Sequence, residues 1–413
     1  MKKCFITILA FLILCSFAKG QVRDLDYYLK EGLTGSPLLK DYANQYNSVS
    51  FDSLLVRAVK KPQVEARSTL QYIPVYGKFG YDGVVTDQGN YTGVVGVSQE
   101  IFRSREINNQ LESLNLQRKS LTNTTKITTN ELTRMITDQY LVSVSAYSDL
   151  DFNSSFLGLL EKENEIVKQL AIKGIYKQTD YLALLLETQT QEILVNRLKG
   201  QYIASLRDLN VVCGINDTSS YALIIPVLSV KGGPDVLKSP GYIQFGIDSL
   251  KISNEKNAID IRYLPKISWF ADAGFLTHDL TAFYTHFGYS AGLSLSIPIY
   301  DGRQRSVEKQ KLEIEEKTRG NYRDNYLKKY SQQILQLTEE LHSEKEINAS
   351  LIKQLSTSDN LLRALKSELD AGLIQMTDVL SAVKNYRIIN KSLNDSRIRI
   401  LQITNEINYI INQ

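Results

Sequence analysis

Residues 295–303 read Leu-Ser-Ile-Pro-Ile-Tyr-Asp-Gly-Arg, an alternating run that passes through a proline into an Asp-Gly turn. Residues 97–105 hold the matching place 198 positions earlier, with Arg-Ser in place of the Asp-Gly pair. The same offset of 198 relates Gly-Ile-Tyr-Lys-Gln-Thr-Asp-Tyr-Leu at 174–182 to Gly-Leu-Ile-Gln-Met-Thr-Asp-Val-Leu at 372–380. Matched spacing of this kind predicts two copies of one structural unit.

Each copy is expected to begin with a short helix. A Ser-Pro dipeptide at 36–37 recurs at 239–240, and a second proline follows each one 25 residues later, at Pro62 and Pro265. Serine before proline is a favourable helix start, and the later proline stops the helix. The predicted helices cover 37–58 and 240–261.

After each short helix the apolar period becomes two, which predicts a β-hairpin at about 63–102 and another at about 266–300. The clearest stretch is 283–297, where Tyr289 and Leu293 alternate with Ser290 and Ser294. Alternation over about ten residues is typical of transmembrane strands. A soluble sheet with one wet face gives the same pattern, but the aromatic content of the two hairpins favours a membrane barrel.

Helical periodicity then continues over 103–171 and 303–371. At about 1.5 Å per residue, such helices are roughly 100 Å long and need partner helices along their thin apolar stripes. Gly174 and Gly372 predict turns into return helices at 179–211 and 377–411. At the start of those helices, Thr179 and Thr377 are expected to be N-caps, with Asp180 and Asp378 in the first turn.

The N-terminus reads as a signal peptide over 1–20, since a basic start precedes an apolar run and small residues; a membrane anchor and a lipoprotein signal are the alternatives. Removing it takes away Lys2, Lys3 and Lys19 and no acid, which leaves 45 basic and 45 acidic side chains. That balance does not favour nucleic acid as a partner. Of the cysteines only Cys213 then remains, so no intramolecular disulfide is expected. The predicted organisation is a signal peptide at 1–20, a first repeat at 21–212, a linker at 213–239 and a second repeat at 240–413.

Residues that carry chemistry are sparse. His278, His286 and His342 lack metal-ligand spacing, and the single cysteine has no evident triad partners. No phosphate-binding loop is present. We therefore expect neither an enzyme nor a bound cofactor or metal.

Geometry indicates how the chain associates. Four strands cannot close a membrane barrel with a passage, and open sheet edges are not tolerated in lipid. Two chains would supply eight strands and a filled barrel, whereas three would supply twelve and an open one. The expected fold class is therefore an α+β membrane protein. We expect a trimeric 12-stranded β-barrel with four strands per chain, continued by a long α-helical barrel and built from two repeats.

Together, the Ser-Pro helix starts, the strand ending at 295–303, the duplicated Gly-x-x-x-x-Thr-Asp-x-Leu turn and the order of elements resemble the TolC-like outer-membrane efflux and secretion ducts. The resemblance covers nearly all of 21–413. It implies a homotrimer in outer-membrane lipid, a helical barrel in the periplasm, and docking of a periplasmic adaptor and an inner-membrane pump of RND or ABC type. Substrates would pass passively, without a catalysed reaction.

The resemblance also assigns residues. Gly174, Thr179, Asp180, Gly372, Thr377 and Asp378 would form the periplasmic entrance and adaptor-docking tip. Simple helix capping is the plainer interpretation of the same residues, and Ser381 one turn after Asp378 leaves a double acidic ring in doubt. Glu65, Arg67, Lys266 and Asp272 are expected to face the barrel lumen, for which a solvated strand face is the plainer account.

The predicted function is thus the exit channel of a tripartite efflux system. The alternatives are the duct of a type I protein secretion system and a trimeric, membrane-anchored coiled-coil adhesin. The adhesin is disfavoured because its strands would gather at the C-terminus, whereas here they lie inside the chain.

Overall fold

The computed structural model describes residues 23–74, 79, 89–101, 103–233, 235–370 and 374–412. The predicted signal peptide at 1–20 and the predicted turn at Gly372 lie outside these residues. The helices are α1 (Leu25–Gly35), α2 (Pro37–Ala58), α3 (Ser104–Ile172), α4 (Gln178–Cys213), α5 (Pro240–Arg262), α6 (Gln304–Asp370) and α7 (Met376–Asn412). The strands are β1 (Gln63–Tyr72), β2 (Gly89–Ile101), β3 (Lys266–Thr277) and β4 (Phe287–Ser296). Short 3₁₀ helices cover Val236–Lys238 and Leu280–Thr285.

The proline-started helices begin where the sequence predicts. Helix α2 opens at Pro37, and the Leu39 amide donates to Ser36 Oγ at 3.4 Å. Helix α5 opens at Pro240, directly after Ser239. A proline at the first helical position loses no hydrogen bond, because that amide has no partner within the helix.

The Asp-Gly-Arg motif turns the chain from the end of the sheet into α6. The side chain of Asp301 accepts hydrogen bonds from the amides of Arg303 and Arg305, both at 2.9 Å. Gly302 and Arg303 have φ of +65° and +71°, so two successive left-handed residues reverse the chain. Glycine adopts this conformation without steric cost, which explains its place in the motif.

Several parts of the chain differ from the sequence prediction. The second predicted hairpin extends to about residue 300, whereas β4 ends at Ser296. Helix α1 was not expected; Asp24 caps it by accepting from the Tyr27 amide at 2.9 Å. Residues 283–285 were expected to be strand and instead end a 3₁₀ helix. Asp279 caps that helix by accepting from the Thr281 amide at 2.8 Å. The local cap overrides the alternating pattern there.

The long helices α3 and α6 contain 69 and 67 residues. In the described part of α6, the apolar side chains that are buried number only four: Leu312, Tyr330, Leu341 and Leu369. A helix of this length gains most of its stability from packing, so α6 has a large surface left for other partners. Across the described residues, no helix is sufficiently long and apolar to span a bilayer.

The strands form one antiparallel sheet in the order β1-β2-β3-β4. The sheet belongs to a compact unit made of Asp41–Thr125 and Gly241–Tyr326. In this unit, Asn109 of α3 and Asn254 of α5 bond reciprocally. Asn109 Nδ2 donates to Asn254 Oδ1 at 2.7 Å, and Asn254 Nδ2 donates to the Asn109 carbonyl at 3.2 Å.

The second compact unit contains residues up to Lys40, Lys126–Pro240 and Leu327–Gln413. Its largest apolar cluster includes the fully buried Tyr28, Tyr140 and Leu209. The segment after α4 lies along these helices: Tyr140 Oη donates to the Ile224 carbonyl at 2.8 Å, and Asn408 Nδ2 donates to the Ser229 carbonyl at 2.9 Å. The part of the predicted linker around residues 224–229 is therefore bound to the helices of this unit.

Candidate functional site

One face of the sheet is polar, and the strand register places the four predicted lumen residues on it: Glu65, Arg67, Lys266 and Asp272. Glu65 is aligned with Gly96, Gly96 with Asp272, and Asp272 with Ser290, so one row crosses all four strands. Ser290 Oγ donates to Asp272 Oδ2 at 2.9 Å. A shared face is what the sequence predicts for these residues; that the face lines a lumen stays a prediction.

The opposite face is apolar and uncovered. Its members on the two outer strands include Val64, Leu70, Leu293 and Tyr289, which are 71, 70, 75 and 91% exposed. On the inner strands it carries Trp269, whose Nε1 donates to Gln99 Oε1 at 3.2 Å. A soluble sheet packs its apolar face against a core. In this sheet, by contrast, the apolar side chains of the outer strands are exposed on the surface of the chain.

Both borders of the sheet are open. Among the described residues, β1 pairs with β2 alone and β4 pairs with β3 alone. Every residue of β1 is exposed, and so are nine of the ten in β4. An edge with unpaired amides and carbonyls is a template for another strand.

The first helical turn is built on Gly174. It has φ of +77°, its amide donates to the Ala171 carbonyl at 3.0 Å, and the Ile175 amide donates to the Leu170 carbonyl at 3.0 Å. These bonds satisfy the last carbonyls of α3 in the manner of a glycine C-cap. Gly174 is therefore a turn glycine, as predicted from the sequence.

The predicted N-caps are wrong by two residues. Lys177 is the N-cap of α4, and Thr179 is the second residue inside the helix. Likewise α7 begins at Met376, so Thr377 lies within its first turn. The helices start earlier because residues 176 and 376 are anchored by apolar packing. Asp180 and Asp378 do lie in the first turns, as expected, where carboxylates are favourable.

An apolar cluster holds the two helical hairpins together near these turns. Met376 is 1% exposed and lies with Phe156, Leu184 and Leu369, while Tyr176 packs against the same cluster. The hydroxyl of Tyr176 donates to the Leu369 carbonyl. Tyr176, which precedes α4, and Met376, the first residue of α7, thus belong to one shared apolar core.

Beside this cluster lies a cavity of about 390 Å³ with a mostly apolar lining. Ion pairs stand at its border: Lys366 Nζ is 2.5 Å from Glu163 Oε1, and Arg363 Nη2 is 2.6 Å from Asp359 Oδ2. All four helices α3, α4, α6 and α7 contribute residues to its lining. The two hairpins therefore pack around an open space at this level.

Sequence reasoning missed a set of charged residues buried between the helices. Glu187 is 8% exposed and accepts from Arg387, whereas Asp149 is 9% exposed and lies 2.6 Å from Lys391 Nζ. Desolvation works against the charge of Lys391, but hydrogen bonds to Asp149 and Asp395 leave its pKa raised. The sequence did contain one indication of these residues. Arg387, Lys391 and Asp395 are spaced four apart, which places them on one face of α7.

The described residues hold no group of three or more His, Cys, Asp or Glu side chains that could bind a metal ion. Cys213 is buried, and burial raises the pKa of its thiol to about 12. A thiol in that state is a poor nucleophile. The candidate functional surfaces are therefore the polar face of the sheet, its apolar face and the helical turn region.

No protein-family model matches the chain, and no curated protein matches its sequence. Solved structures do match it. CusC, a protein whose structures concern transmembrane channel formation, has a TM-score of 0.76 at 13% identity, over 94% of this chain and 92% of CusC. The outer-membrane protein VceC of Vibrio cholerae has a TM-score of 0.74 at 11% identity, over 94% of this chain and 96% of VceC. The open-state MtrE outer-membrane channel of Neisseria gonorrhoeae has a TM-score of 0.72 at 12% identity, over 94% of this chain and 88% of MtrE.

At these identities the likeness establishes the fold of one chain. The match covers 94% of this chain and at least 88% of each of these three structures. The mostly helical chain with a four-stranded sheet, expected from the resemblance to TolC-like ducts, is therefore confirmed.

Proposed function

We propose that this chain is the subunit of a passive duct in the outer membrane, through which an efflux system expels its substrates. The observation that carries the proposal is the sheet: one apolar face, one polar face and two open borders, on a chain with the fold of solved outer-membrane channels. A sheet with these properties is complete only as part of a closed barrel in lipid.

The barrel is proposed to contain three chains. Four strands per chain give twelve in a trimer, which leaves a passage, whereas eight strands are filled by their own side chains. The border of β4 in one chain would pair with the border of β1 in the next. The apolar face, with Leu293 and Tyr289, would then contact lipid, and Glu65, Arg67, Lys266 and Asp272 would line the lumen.

The helical turns are proposed to be the periplasmic entrance. Gly174, Thr179, Asp180, Gly372, Thr377 and Asp378 would surround its opening and receive a periplasmic adaptor. Threefold symmetry would bring three copies of Asp180 and three of Asp378 near the axis, and close carboxylates favour cations. An inner-membrane pump of RND or ABC type would deliver the substrate. The duct itself would catalyse nothing.

Efflux and protein secretion would use the same duct. Deleting the genes that neighbour this one in its genome, then measuring dye retention and secreted protein in parallel, separates the two. Dye retention without loss of a secreted protein supports efflux. The reverse result assigns the duct to a type I secretion system.

The first experiment is purification from outer membranes in mild detergent, followed by measurement of particle mass and of conductance in planar bilayers. We expect the mass of three chains and steady ion conduction. A monomer found in the soluble fraction would end the proposal. An oligomer that conducts no ions would favour an adhesin instead.

The lumen assignment has its own test. Asp272→Asn removes one charge per chain with little change of shape, and Asp272→Lys reverses it. If Asp272 faces the passage, the preference of the channel for cations should be lower in Asp272→Asn than in the parent protein and lower still in Asp272→Lys, since charge rings set selectivity. Unchanged selectivity in both variants places Asp272 elsewhere.

A further inference from the structure

Two of the three histidines in the chain come together at the loop between β3 and β4. His278 follows β3, His286 precedes β4, and both side chains are exposed. Their ring centroids are 6.4 Å apart, with an angle of 55° between the planes. The eight-residue separation in sequence gave no sign of this, because the intervening 3₁₀ helix brings the two ends of the loop together.

The loop that carries the two rings is closed by hydrogen bonds. The Leu276 amide donates to the His286 carbonyl at 3.4 Å, and the His286 amide donates to the Phe283 carbonyl at 3.2 Å. Thr277 Oγ1 donates to the Asp279 carbonyl at 2.9 Å and accepts from the Asp279 amide at 3.0 Å. These hydrogen bonds hold the two ends of the loop, and with them the two histidines, close together.

We propose that His278 and His286 form a two-imidazole site for a borderline divalent transition-metal ion such as Cu²⁺, Ni²⁺ or Zn²⁺. Imidazole nitrogen is a preferred ligand of these ions. With metal–nitrogen bonds of about 2 Å, two ring centres that share one ion stand roughly 5–6 Å apart. The observed distance of 6.4 Å is close to this range.

The remaining ligands of the ion would be water. The nearby carboxylate of Asp279 already accepts hydrogen bonds from the amide and the hydroxyl of Thr281, each at 2.8 Å. Its role is therefore to stabilise the loop. A site with two protein ligands is open, unlike a structural zinc site with four. It should bind reversibly, and its occupancy should not be needed for folding.

The site does not depend on the duct. Its test uses the full-length protein purified without a polyhistidine tag, titrated with Ni²⁺ by calorimetry. We expect one ion per chain. His278→Ala and His286→Ala should each weaken binding by about tenfold or more, because each removes half of the protein ligands.

His342→Ala is the matched control. His342 is also exposed, and its Nε2 lies 3.4 Å from Glu346 Oε1, so it offers an imidazole beside a carboxylate without a second imidazole. Its loss should leave the loop site intact. Binding that persists in both loop variants, or that is lost in His342→Ala alone, would overturn the proposal.

A spectroscopic measurement covers the case in which a variant fails to assemble. Cu²⁺ bound to the unaltered protein should show hyperfine coupling to two imidazole nitrogens in its electron paramagnetic resonance spectrum. Coupling to one imidazole, or to none, would contradict a shared site.

Discussion

Arg387 of α7 reaches Glu187 of α4, with Nη1 3.3 Å from Oε1, although Glu187 is 8% exposed. The same Nη1 donates to Gln191 Oε1 at 2.7 Å. Gln191 is fully buried and donates onward to the Asn153 carbonyl at 3.0 Å. One guanidinium thus connects both return helices and, through Gln191, helix α3.

Arg387→Met should lower the free energy of unfolding by about 1.5–3 kcal/mol, the usual cost of losing hydrogen bonds to a charged group. Lys384 Nζ lies 3.8 Å from Glu187 Oε2 and compensates in part. The measurement is denaturant unfolding followed by circular dichroism. Arg363→Met is the control, because Arg363 is an exposed partner of Asp359 and should cost less than about 1 kcal/mol. Equal effects would show that the buried network adds nothing.

Gly174→Ala should destabilise the first helical turn by about 1–2 kcal/mol, since φ of +77° forces the new Cβ toward a carbonyl oxygen. Gly200 provides the contrast. It lies inside α4 with open space around its Cβ position, so Gly200→Ala should raise stability by up to about 1 kcal/mol. Melting of the two variants beside the parent protein compares them. The same sign for both would contradict the left-handed turn.

Gly274→Ala should disrupt the sheet. A Cβ at Gly274 would lie 2.0 Å from the Gly93 carbonyl oxygen and 2.6 Å from Val94 Cα, and backbone atoms of a paired strand cannot move aside. Gly288 is directly opposite on β4 with nothing within 4 Å of its Cβ position. Gly288→Ala should therefore fold normally. The readout is the yield of folded protein; a normal yield of the Gly274 variant would refute the close approach.

Cys213 should be unreactive in the folded protein. Burial raises the pKa of its thiol to about 12, so at about pH 8 almost no thiolate exists. If residues 1–20 are removed, as the sequence predicts, Ellman's reagent should detect no thiol until denaturant is added. Glu192→Cys, at an exposed position of α4, is the positive control. Rapid reaction of the parent protein would mean an accessible Cys213 or a retained N-terminal cysteine.

Acid should weaken the unit that contains the sheet. Hydrogen bonds from Lys309 and then Arg305 lower the pKa of Asp260 below its ordinary value of 3.8. A lowered folded-state pKa gives stability that is present above the unfolded pKa and lost as pH falls through the folded pKa. Unfolding midpoints should therefore be steady down to about pH 4 and fall below it. Asp260→Asn should flatten part of that fall, and an unchanged profile would dismiss Asp260 as a contributor.

The sequence predicts regular elements well where a local physical rule acts alone. Helix α2 has the bounds that the prolines indicate, and strand β1 begins at Gln63, where the first hairpin is predicted. It fails at Thr179 and Thr377, where packing of neighbouring apolar residues moves the helix start. It also fails at 283–285, where the Asp279 cap defeats an alternating pattern.

The candidate surfaces divide in the same way. The polar sheet face follows from strand periodicity, because a period of two fixes which residues share a face. The buried Glu187–Arg387 pair and the His278–His286 pair do not, since each joins residues through tertiary geometry. Residue spacing along the chain does not predict contacts of this kind between different elements.

The uncovered sheet also bears on biogenesis. A newly made chain carries two unpaired edge strands and an exposed apolar sheet face. Both make the single chain prone to aggregate. If other chains complete the sheet, as we propose, folding of the sheet and association of the chains must occur together, or a chaperone must shield each chain until it associates.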